Sequence, residues 1–336
     1  MATKVAVIGA GSWGTAVAAI ACHNAPTVLW ARRKELADEI TTDHVNSSYL
    51  SDYPLPEALT SSASLEEALT DADVVVMGVP SHGFRDVLAE GKPFITAGVP
   101  VLSLSKGVEQ DSLLRMTEVI GELLPGHPAG VLTGPNLAKE IMAGFPALSV
   151  VALEDGALAA DLQGIFATPT FRVYTNTDVV GCEVAGALKN VMAIAAGMAD
   201  GMGFGDNTKA ALITRGLAEL TRLGIALGGQ PLTFSGLAGM GDLVATCMSR
   251  QSRNRYVGEE LGKGRSLEEI VAEMNMVAEG VKTSRAVVAL ARRVGVEMPI
   301  AEEVVAVVNG DKKAADVIAP LMERERGHEL QGIADI

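Results

Sequence analysis

Aromatic residues are scarce. They make up 4% of the 336-residue chain, so the core must be filled by Ala, Val, Leu, Ile and Met. Such cores suit parallel sheets and close-packed helices. Cysteine is scarce too: Cys22, Cys182 and Cys247 lie far apart, are odd in number and show no CxxC spacing. That argues against a disulfide framework or a zinc site and fits a reducing cytoplasm. The five histidines (His23, His44, His82, His127 and His328) show no metal-ligand spacing, and no metal is expected. Positive charge is in deficit, with 27 Lys and Arg against 41 Asp and Glu for a net charge of -14. This disfavours nucleic acid and anionic membranes, which require clustered cations; a small anionic substrate remains open, because local basic groups can override the global field. No uninterrupted apolar run reaches the about 18 residues of a membrane helix, so no membrane insertion is expected. Lys4 precedes an apolar stretch, but Gly9, Gly11, Trp13 and Gly14 interrupt it. A strand and a turn explain that stretch better than a signal peptide does.

What is present begins with the run Val5-Ala-Val-Ile8, followed directly by Gly9-Ala-Gly-Ser-Trp-Gly14 and an alanine-rich segment from Thr15 to about Ala21. Strand, glycine turn and helix in that order are the dinucleotide fingerprint in its proper context. Gly9 allows the tight turn, Gly11 lets a pyrophosphate approach the backbone, and Gly14 lets helix and strand pack closely. The helix N-terminus, with free N–H groups and partial positive charge, holds the diphosphate.

The first half continues to alternate. Val28-Leu-Trp30 reads as a strand, Arg32 to Ile40 as a charged helix, and Thr42 to Pro56 as a loop. Leu65 to Leu69 has helical spacing, and Val74-Val-Val-Met77 reads as a buried strand, with Ser81 as N-cap of the next helix. Further strands are expected at Val99 to Leu104, Val131 to Thr133 and Leu148 to Leu153, the last closing the series. Strands alternating with helices imply a parallel sheet with crossover helices. After about residue 178 the period becomes helical, with helices expected over Val180–Met198, Lys209–Leu227, Asn254–Leu261, Leu267–Met274, Gly280–Val294, Pro299–Asn309 and Ala314–Met322. The expected architecture is a Rossmann-like doubly wound parallel sheet over residues 1–178, then an all-α domain over 179–336.

In many nicotinamide sites an acidic residue ends the second strand and bonds the ribose 2′-hydroxyl. Here Ala31-Arg32-Arg33 follows Trp30, and two arginines can pair with a 2′-phosphate instead. NADPH is therefore the expected cofactor, with NADH the alternative. A solvated helix start would also explain Arg32 and Arg33.

Several residues carry candidate chemistry. Lys189 lies mid-helix in an apolar run; burying its charge is costly, so its pKa should fall and it becomes a usable acid/base. The bland alternative is a lysine snorkelling to solvent. Lys106 follows a strand in Ser103-Leu-Ser-Lys-Gly107, where open α/β sheets bind ligands. Ser252-Arg-Asn-Arg255 opens a helix, offering N–H groups, a hydroxyl and a guanidinium to a phosphate, although a helix cap explains Ser252 equally well. Asp242 follows three glycines between Gly236 and Gly241 and reads as a ligand for Lys189 or a substrate hydroxyl, or as an N-cap.

Taken with Val79-Pro-Ser-His82, Thr133-Gly-Pro-Asn-Leu-Ala-Lys-Glu140, Gly186-Ala-Leu-Lys-Asn190, Gly236-Leu-Ala-Gly-Met-Gly-Asp-Leu243 and Ala278-Glu-Gly280, these segments resemble the NAD(P)-dependent glycerol-3-phosphate dehydrogenases of the bacterial, soluble type. Most are weak singly; their combined order and spacing is specific. The resemblance implies reduction of dihydroxyacetone phosphate to sn-glycerol 3-phosphate and a role in supplying the glycerophospholipid backbone. It implies that Lys189 is the catalytic acid/base and that Lys106 touches both substrate and nicotinamide; an ammonium so placed could polarise the carbonyl and, as a like charge, help lower the pKa of Lys189. It places Gly134, Asn136, Lys189, Asp242, Ser252, Arg253 and Asn254 at the substrate. It places Ser12, Trp13, Ala138, Arg253, Val277 and Glu279 at the cofactor, beside Gly9, Gly11, Gly14, Arg32 and Arg33. Relatives often carry Ser or Thr where Asn136 stands, and Trp13 could instead pack under its helix.

The rival readings are a related two-domain dehydrogenase of 6-phosphogluconate or ketopantoate type and a non-catalytic dinucleotide sensor. The Ser252–Arg255 and Gly236–Asp242 segments tell against the first, and the joint presence of Lys106, Lys189 and Arg253 against the second. The apolar helical half makes a homodimer the expected assembly.

Overall fold

A computed structural model describes residues 3–274, 278–323 and 333; Val277 lies outside the described residues. The chain forms two compact units, one of Met1–Ser105 with Arg115–Val179, the other of Lys106–Leu114 with Val180–Ile336.

The first unit is built on one eight-stranded sheet. Its strands are β1 (Val5–Ile8), β2 (Thr27–Trp30), β3 (Thr60–Ser62), β4 (Val74–Met77), β5 (Val101–Ser103), β6 (Ala129–Thr133), β7 (Ala147–Ala152) and β8 (Phe171–Asn176). Their order is β3-β2-β1-β4-β5-β6-β7-β8. The central strands β1 and β4 are buried along their whole length, as apolar, β-branched parallel strands should be. The connecting helices are α1 (Ser12–Cys22), α2 (Lys34–Thr42), α3 (Leu65–Leu69), α4 (Ser81–Gly91), α5 (Met116–Leu123), α6 (Ala138–Met142) and α7 (Gly156–Ile165). This is the expected doubly wound α/β architecture. Winding reverses at β1, which has β2 on one side and β4 on the other, so the glycine turn after β1 stands at the switch point where such sheets bind ligands.

Five local expectations are corrected. The sheet is not wholly parallel, because β6 and β7 pair antiparallel. The helix between them, α6, has five residues and rises only about 7 Å, too little to return the chain along β6, which spans about 17 Å. Second, the strand over Leu148 to Leu153 does not close the series. It is followed by β8, whose Phe171 and Val173 face inward and whose Arg172 and Tyr174 face out. Third, the short polar strand β3 was hidden by its composition. Fourth, α2 starts at Lys34 rather than Arg32, with Arg33 in extended conformation as its cap residue. Likewise Ser81 is the first residue of α4 and Pro80 its cap.

Among the described residues the second unit contains helices and no strand. They are α8 (Val179–Gly201), α9 (Asp206–Ala226), α10 (Asp242–Met248), α11 (Arg253–Gly262), α12 (Leu267–Glu273), α13 (Glu279–Arg293), α14 (Pro299–Val308) and α15 (Ile318–Met322). The helix expected over Ala314–Met322 is instead a short 3₁₀ turn, Ala314–Asp316, followed by α15. A continuous helix would need an N–H from Pro320 to reach Asp316, and proline has none. Residues 106–114 join this unit because Val108 is buried in its core, with Leu113 packed against the same cluster. An unbroken division near residue 178 misses this excursion of the chain.

Helix α8 is the axis of the unit. It is long and apolar enough to cross a membrane, but 94% of its most apolar window is buried within the protein. It packs on α11 through glycines. A Cβ on Gly197 would lie 2.0 Å from the Arg255 carbonyl oxygen, one on Gly258 2.0 Å from that of Ile194, and one on Gly201 2.1 Å from that of Glu259. The two backbones therefore touch without side chains between them, which fixes where α11 begins relative to Lys189 and Asn190.

Candidate active site

In the first unit the glycine turn is shaped as a phosphate cradle. Gly9 has φ +122°, a conformation that side chains resist. A Cβ on Gly14 would lie 2.0 Å from the Gly9 carbonyl oxygen, so close packing requires glycine there; at Gly11 nothing stands within 4 Å of a Cβ. The backbone is thus open at Gly11, and α1 has no side-chain cap, leaving its first N–H groups available to an anion. These features fit a dinucleotide. Trp13 stacks at a tilt on Phe171, ring centroids 6.2 Å apart, and its buried Nε1 has no protein partner. Ser12 donates its hydroxyl to the Tyr49 carbonyl at 3.3 Å.

Beyond the end of β2, Arg32 and Arg33 are both exposed, and Arg33 Nη2 donates to Ser48 Oγ at 2.7 Å. Gly134 adopts φ +140°. Asn136 donates Nδ2 to Ser149 Oγ at 3.0 Å, while its buried Oδ1 has no protein partner. Ala138 opens α6.

The second unit gathers the remaining candidates around Asp242. Glycines at 236, 239 and 241 permit a π-helical turn, Leu237–Gly241, before α10; a Cβ on Gly239 would lie 2.2 Å from the Phe234 carbonyl oxygen. The turn delivers Asp242 as the first residue of α10, only 2% exposed. Its Oδ1 meets Lys189 Nζ at 2.7 Å and its Oδ2 meets Lys106 Nζ at 2.7 Å. Lys189, 6% exposed, also donates to Thr246 Oγ1 at 2.7 Å. Thr246 Oγ1 lies 2.6 Å from the Asp242 carbonyl oxygen one turn earlier, which orients the hydroxyl. Lys189 thus does not snorkel: it is buried against a carboxylate. Two lysines share one carboxylate, which places a cluster of basic groups locally in an acidic chain.

Burial pushes the Lys106 ammonium down to about 8, against the pull of Asp242, and the like charge of Lys189 adds to the fall. Loss of hydration raises the Glu279 carboxyl, opposed by Arg253, Lys189 and Lys106. A second polar chain runs behind the lysines. Asn190 donates Nδ2 to the Lys106 carbonyl at 3.0 Å, Asn254 donates Nδ2 to Asn190 Oδ1 at 2.9 Å, and Gly280 N–H donates to Asn254 Oδ1 at 2.9 Å. It ties the Lys106 segment, α8, α11 and α13 together. Asn254 keeps one N–H beyond this chain. Ser252 caps α11 by accepting from Arg255 N at 3.2 Å; its own hydrogen remains to donate, and Arg253 is exposed on the first turn.

The first unit thus holds Gly9, Gly11, Ser12, Trp13, Gly14, Arg32, Arg33, Gly134, Asn136 and Ala138, and the second brings together Lys106, Lys189, Asp242, Ser252, Arg253, Asn254 and Glu279. Sequence reasoning missed Thr246 and gave no role to Asn190 or Gly280, although these two end segments that carry the resemblance. Thr246 stands one helical turn after Asp242, on the same face, a spacing that could have marked it. The Gly197-x-x-x-Gly201 and Gly258-x-x-x-Gly262 spacings could likewise have marked the close helix crossing.

The chain matches the family profile "NAD-dependent glycerol-3-phosphate dehydrogenase N-terminus" over residues 4–159 and "NAD-dependent glycerol-3-phosphate dehydrogenase C-terminus" over residues 178–319. It is 56% identical over 329 residues to glycerol-3-phosphate dehydrogenase [NAD(P)+] 2 of Sphingopyxis alaskensis, covering 98% of this chain and 99% of the relative. It is 52% identical to glycerol-3-phosphate dehydrogenase [NAD(P)+] of Mycobacterium avium, covering 98% and 97%. The crystal structure of glycerol-3-phosphate dehydrogenase from Coxiella burnetii superposes with a TM-score of 0.92 at 36% identity, covering 96% of this chain and 99% of that one. With both profiles matched in order and likeness running nearly end to end, the chain belongs to the NAD-dependent glycerol-3-phosphate dehydrogenase family.

Proposed function

We propose that this enzyme reduces dihydroxyacetone phosphate to sn-glycerol 3-phosphate with NADPH, or with NADH, and so supplies the backbone of glycerophospholipids. The observation that carries the chemistry is the pair of lysines, Lys106 and Lys189, meeting the single carboxylate of Asp242. When bound, the nicotinamide supplies a hydride to the carbonyl carbon. As the C=O π electrons move onto oxygen, Lys189 Nζ gives that oxygen a proton and becomes an amine, which regains a proton from water. Asp242 and Thr246 hold Nζ in place during the transfer, and the Lys106 ammonium stabilises the developing negative charge.

The substrate phosphate is assigned to the first turn of α11, to the Ser252 hydroxyl, the Arg253 guanidinium and the remaining Asn254 N–H. Gly134 and Asn136 are also assigned to the substrate. The nucleotide is assigned to Gly9, Gly11, Ser12, Trp13, Gly14, Arg32, Arg33 and Ala138 of the first unit, and to Lys106, Arg253 and Glu279 of the second. Val277 is assigned there by resemblance alone. The active species is proposed to be a cytoplasmic homodimer, checked by sedimentation velocity.

The deciding experiment is NADPH oxidation on addition of dihydroxyacetone phosphate, repeated with NADH. Turnover is expected, faster at low concentrations of NADPH than of NADH. NADPH binding without turnover on this or related phosphorylated ketones would indicate a sensor, and turnover confined to other substrates a related dehydrogenase. Replacing Arg32 and Arg33 together by Ala should cut the NADPH preference roughly tenfold or more; an unchanged ratio of kcat/KM values removes them from cofactor choice.

A pH profile tests Lys106. Its charged form, present below about 8, is the one that stabilises negative charge. The kcat/KM for ketone reduction, which reports the free enzyme, should therefore fall as pH rises through about 8. Lys106→Arg, charged throughout this range, should lower the rate but abolish that limb.

A further inference from the structure

Residues 46–49 lie in the loop after α2, outside every motif considered above, yet each is tied down. Asn46 is fully buried. Its Nδ2 donates to the Ala10 carbonyl of the glycine turn at 3.0 Å and to Thr15 Oγ1 of α1 at 2.8 Å, and its Oδ1 accepts from Tyr49 N at 3.2 Å. Ser47 binds both carboxylate oxygens of Glu39, through N and through Oγ, each at 2.9 Å. The Tyr49 carbonyl accepts from Ser12 Oγ. Ser48 is therefore fixed by both neighbours, and its hydroxyl accepts from Arg33 Nη2 at 2.7 Å.

A serine hydroxyl that accepts from a guanidinium keeps its own hydrogen to donate. Pointed at an anion beside that guanidinium, it adds a charge-assisted hydrogen bond. Because the loop is already ordered, little conformational entropy is lost when the anion binds. The place is also right: Gly9 N–H bonds the Trp30 carbonyl at 3.1 Å, so the turn after β1 and the Arg33 end of β2 are adjacent. An adenine ribose held at this turn would present its 2′ position to them.

We propose that Ser48 is a specificity-determining residue which, together with Arg33, binds the 2′-phosphate of NADPH, and that Asn46 is the positioning residue that holds it there. The inference rests on the NADPH reading above. Calorimetric binding of adenosine 2′,5′-bisphosphate and of adenosine 5′-monophosphate separates the two, since these probes differ only in the 2′-phosphate. The native protein should bind the bisphosphate at least about tenfold more tightly; equal affinity sinks the NADPH reading itself. Given that preference, Ser48→Ala should reduce the ratio of the two affinities roughly tenfold, and Ser48→Glu should invert it, since a carboxylate repels the 2′-phosphate and accepts from the free ribose hydroxyl. A native preference that survives both substitutions overturns the role of Ser48. Asn46→Ala, checked for folding by circular dichroism, should lower the ratio in the same direction, while Asn46→Ala combined with Ser48→Ala should lower it no further than Ser48→Ala alone. An additive loss in the double variant overturns the positioning role.

Discussion

Lys189→Ala should lower kcat for ketone reduction by about a thousandfold, within the usual range for removing a positioned acid, while leaving the Kd for NADPH within about twofold. The reason lies in how the two lysines share Asp242. Lys189 is the ammonium that contacts both Asp242 Oδ1 and Thr246, whereas Lys106 is held on the other carboxylate oxygen, Oδ2. Lys106 therefore cannot substitute without abandoning its partner. Stopped-flow measurement under single-turnover conditions separates chemistry from binding, and NADPH fluorescence reports the Kd. Retention of more than about a tenth of the native rate would remove Lys189 from proton transfer. Lys189→Met, which keeps the volume of the aliphatic stem, should be equally inactive; a rate restored by Met would show that packing alone was lost.

Gly258→Ala should destabilise the protein by about 3 kcal/mol or more, the upper end for overpacking, because the new methyl would meet the Ile194 carbonyl oxygen at 2.0 Å. Backbone cannot rotate away as a side chain can, so α8 and α11 must separate. The polar chain through Asn190 and Asn254 would be stretched with them, and Ser252 and Arg253 would shift relative to Lys189. The KM for dihydroxyacetone phosphate should therefore rise even in molecules that remain folded. Thermal melts and steady-state kinetics check the two effects. Gly121→Ala is the control: Gly121 lies in α5 with nothing within 4 Å of an added Cβ, and alanine is the better helix former, so its melting temperature should hold or rise. Equal behaviour of the two variants would mean that the close crossing tolerates side chains.

Much of this was legible in the sequence, for reasons visible in particular residues. The fingerprint could be read because Gly9 and Gly14 each meet a steric demand of the backbone and Gly11 leaves it open, at a spacing fixed by the turn. The helical half could be read because long apolar segments such as Val184 to Met198 keep one period. Lys189 stood out because a cation inside such a run has few explanations. The arrangement around it was less visible. Asp242 and Lys106 lie 136 positions apart, and no local pattern links them. The antiparallel β6–β7 pair depends on the length of an intervening helix too short to announce itself, and β3 is three polar residues whose strand geometry comes from its neighbour β2. Asn46 is a polar residue in a polar loop, and only the fold shows that it is buried beneath the glycine turn.

The excursion of Lys106–Leu114 bears on how such proteins can be taken apart. A gene fragment starting at Val180 would encode all of α9 to α15, but without residue 106 it would lack one of the two cations on Asp242, the carbonyl that receives Asn190, and the Val108 side chain sealing the helical core. The helical half is thus not a module that one cut can free or one fusion can transplant. Any shuffling that carries the chemistry to a new nucleotide-binding partner must bring along a nine-residue graft from the middle of the old one.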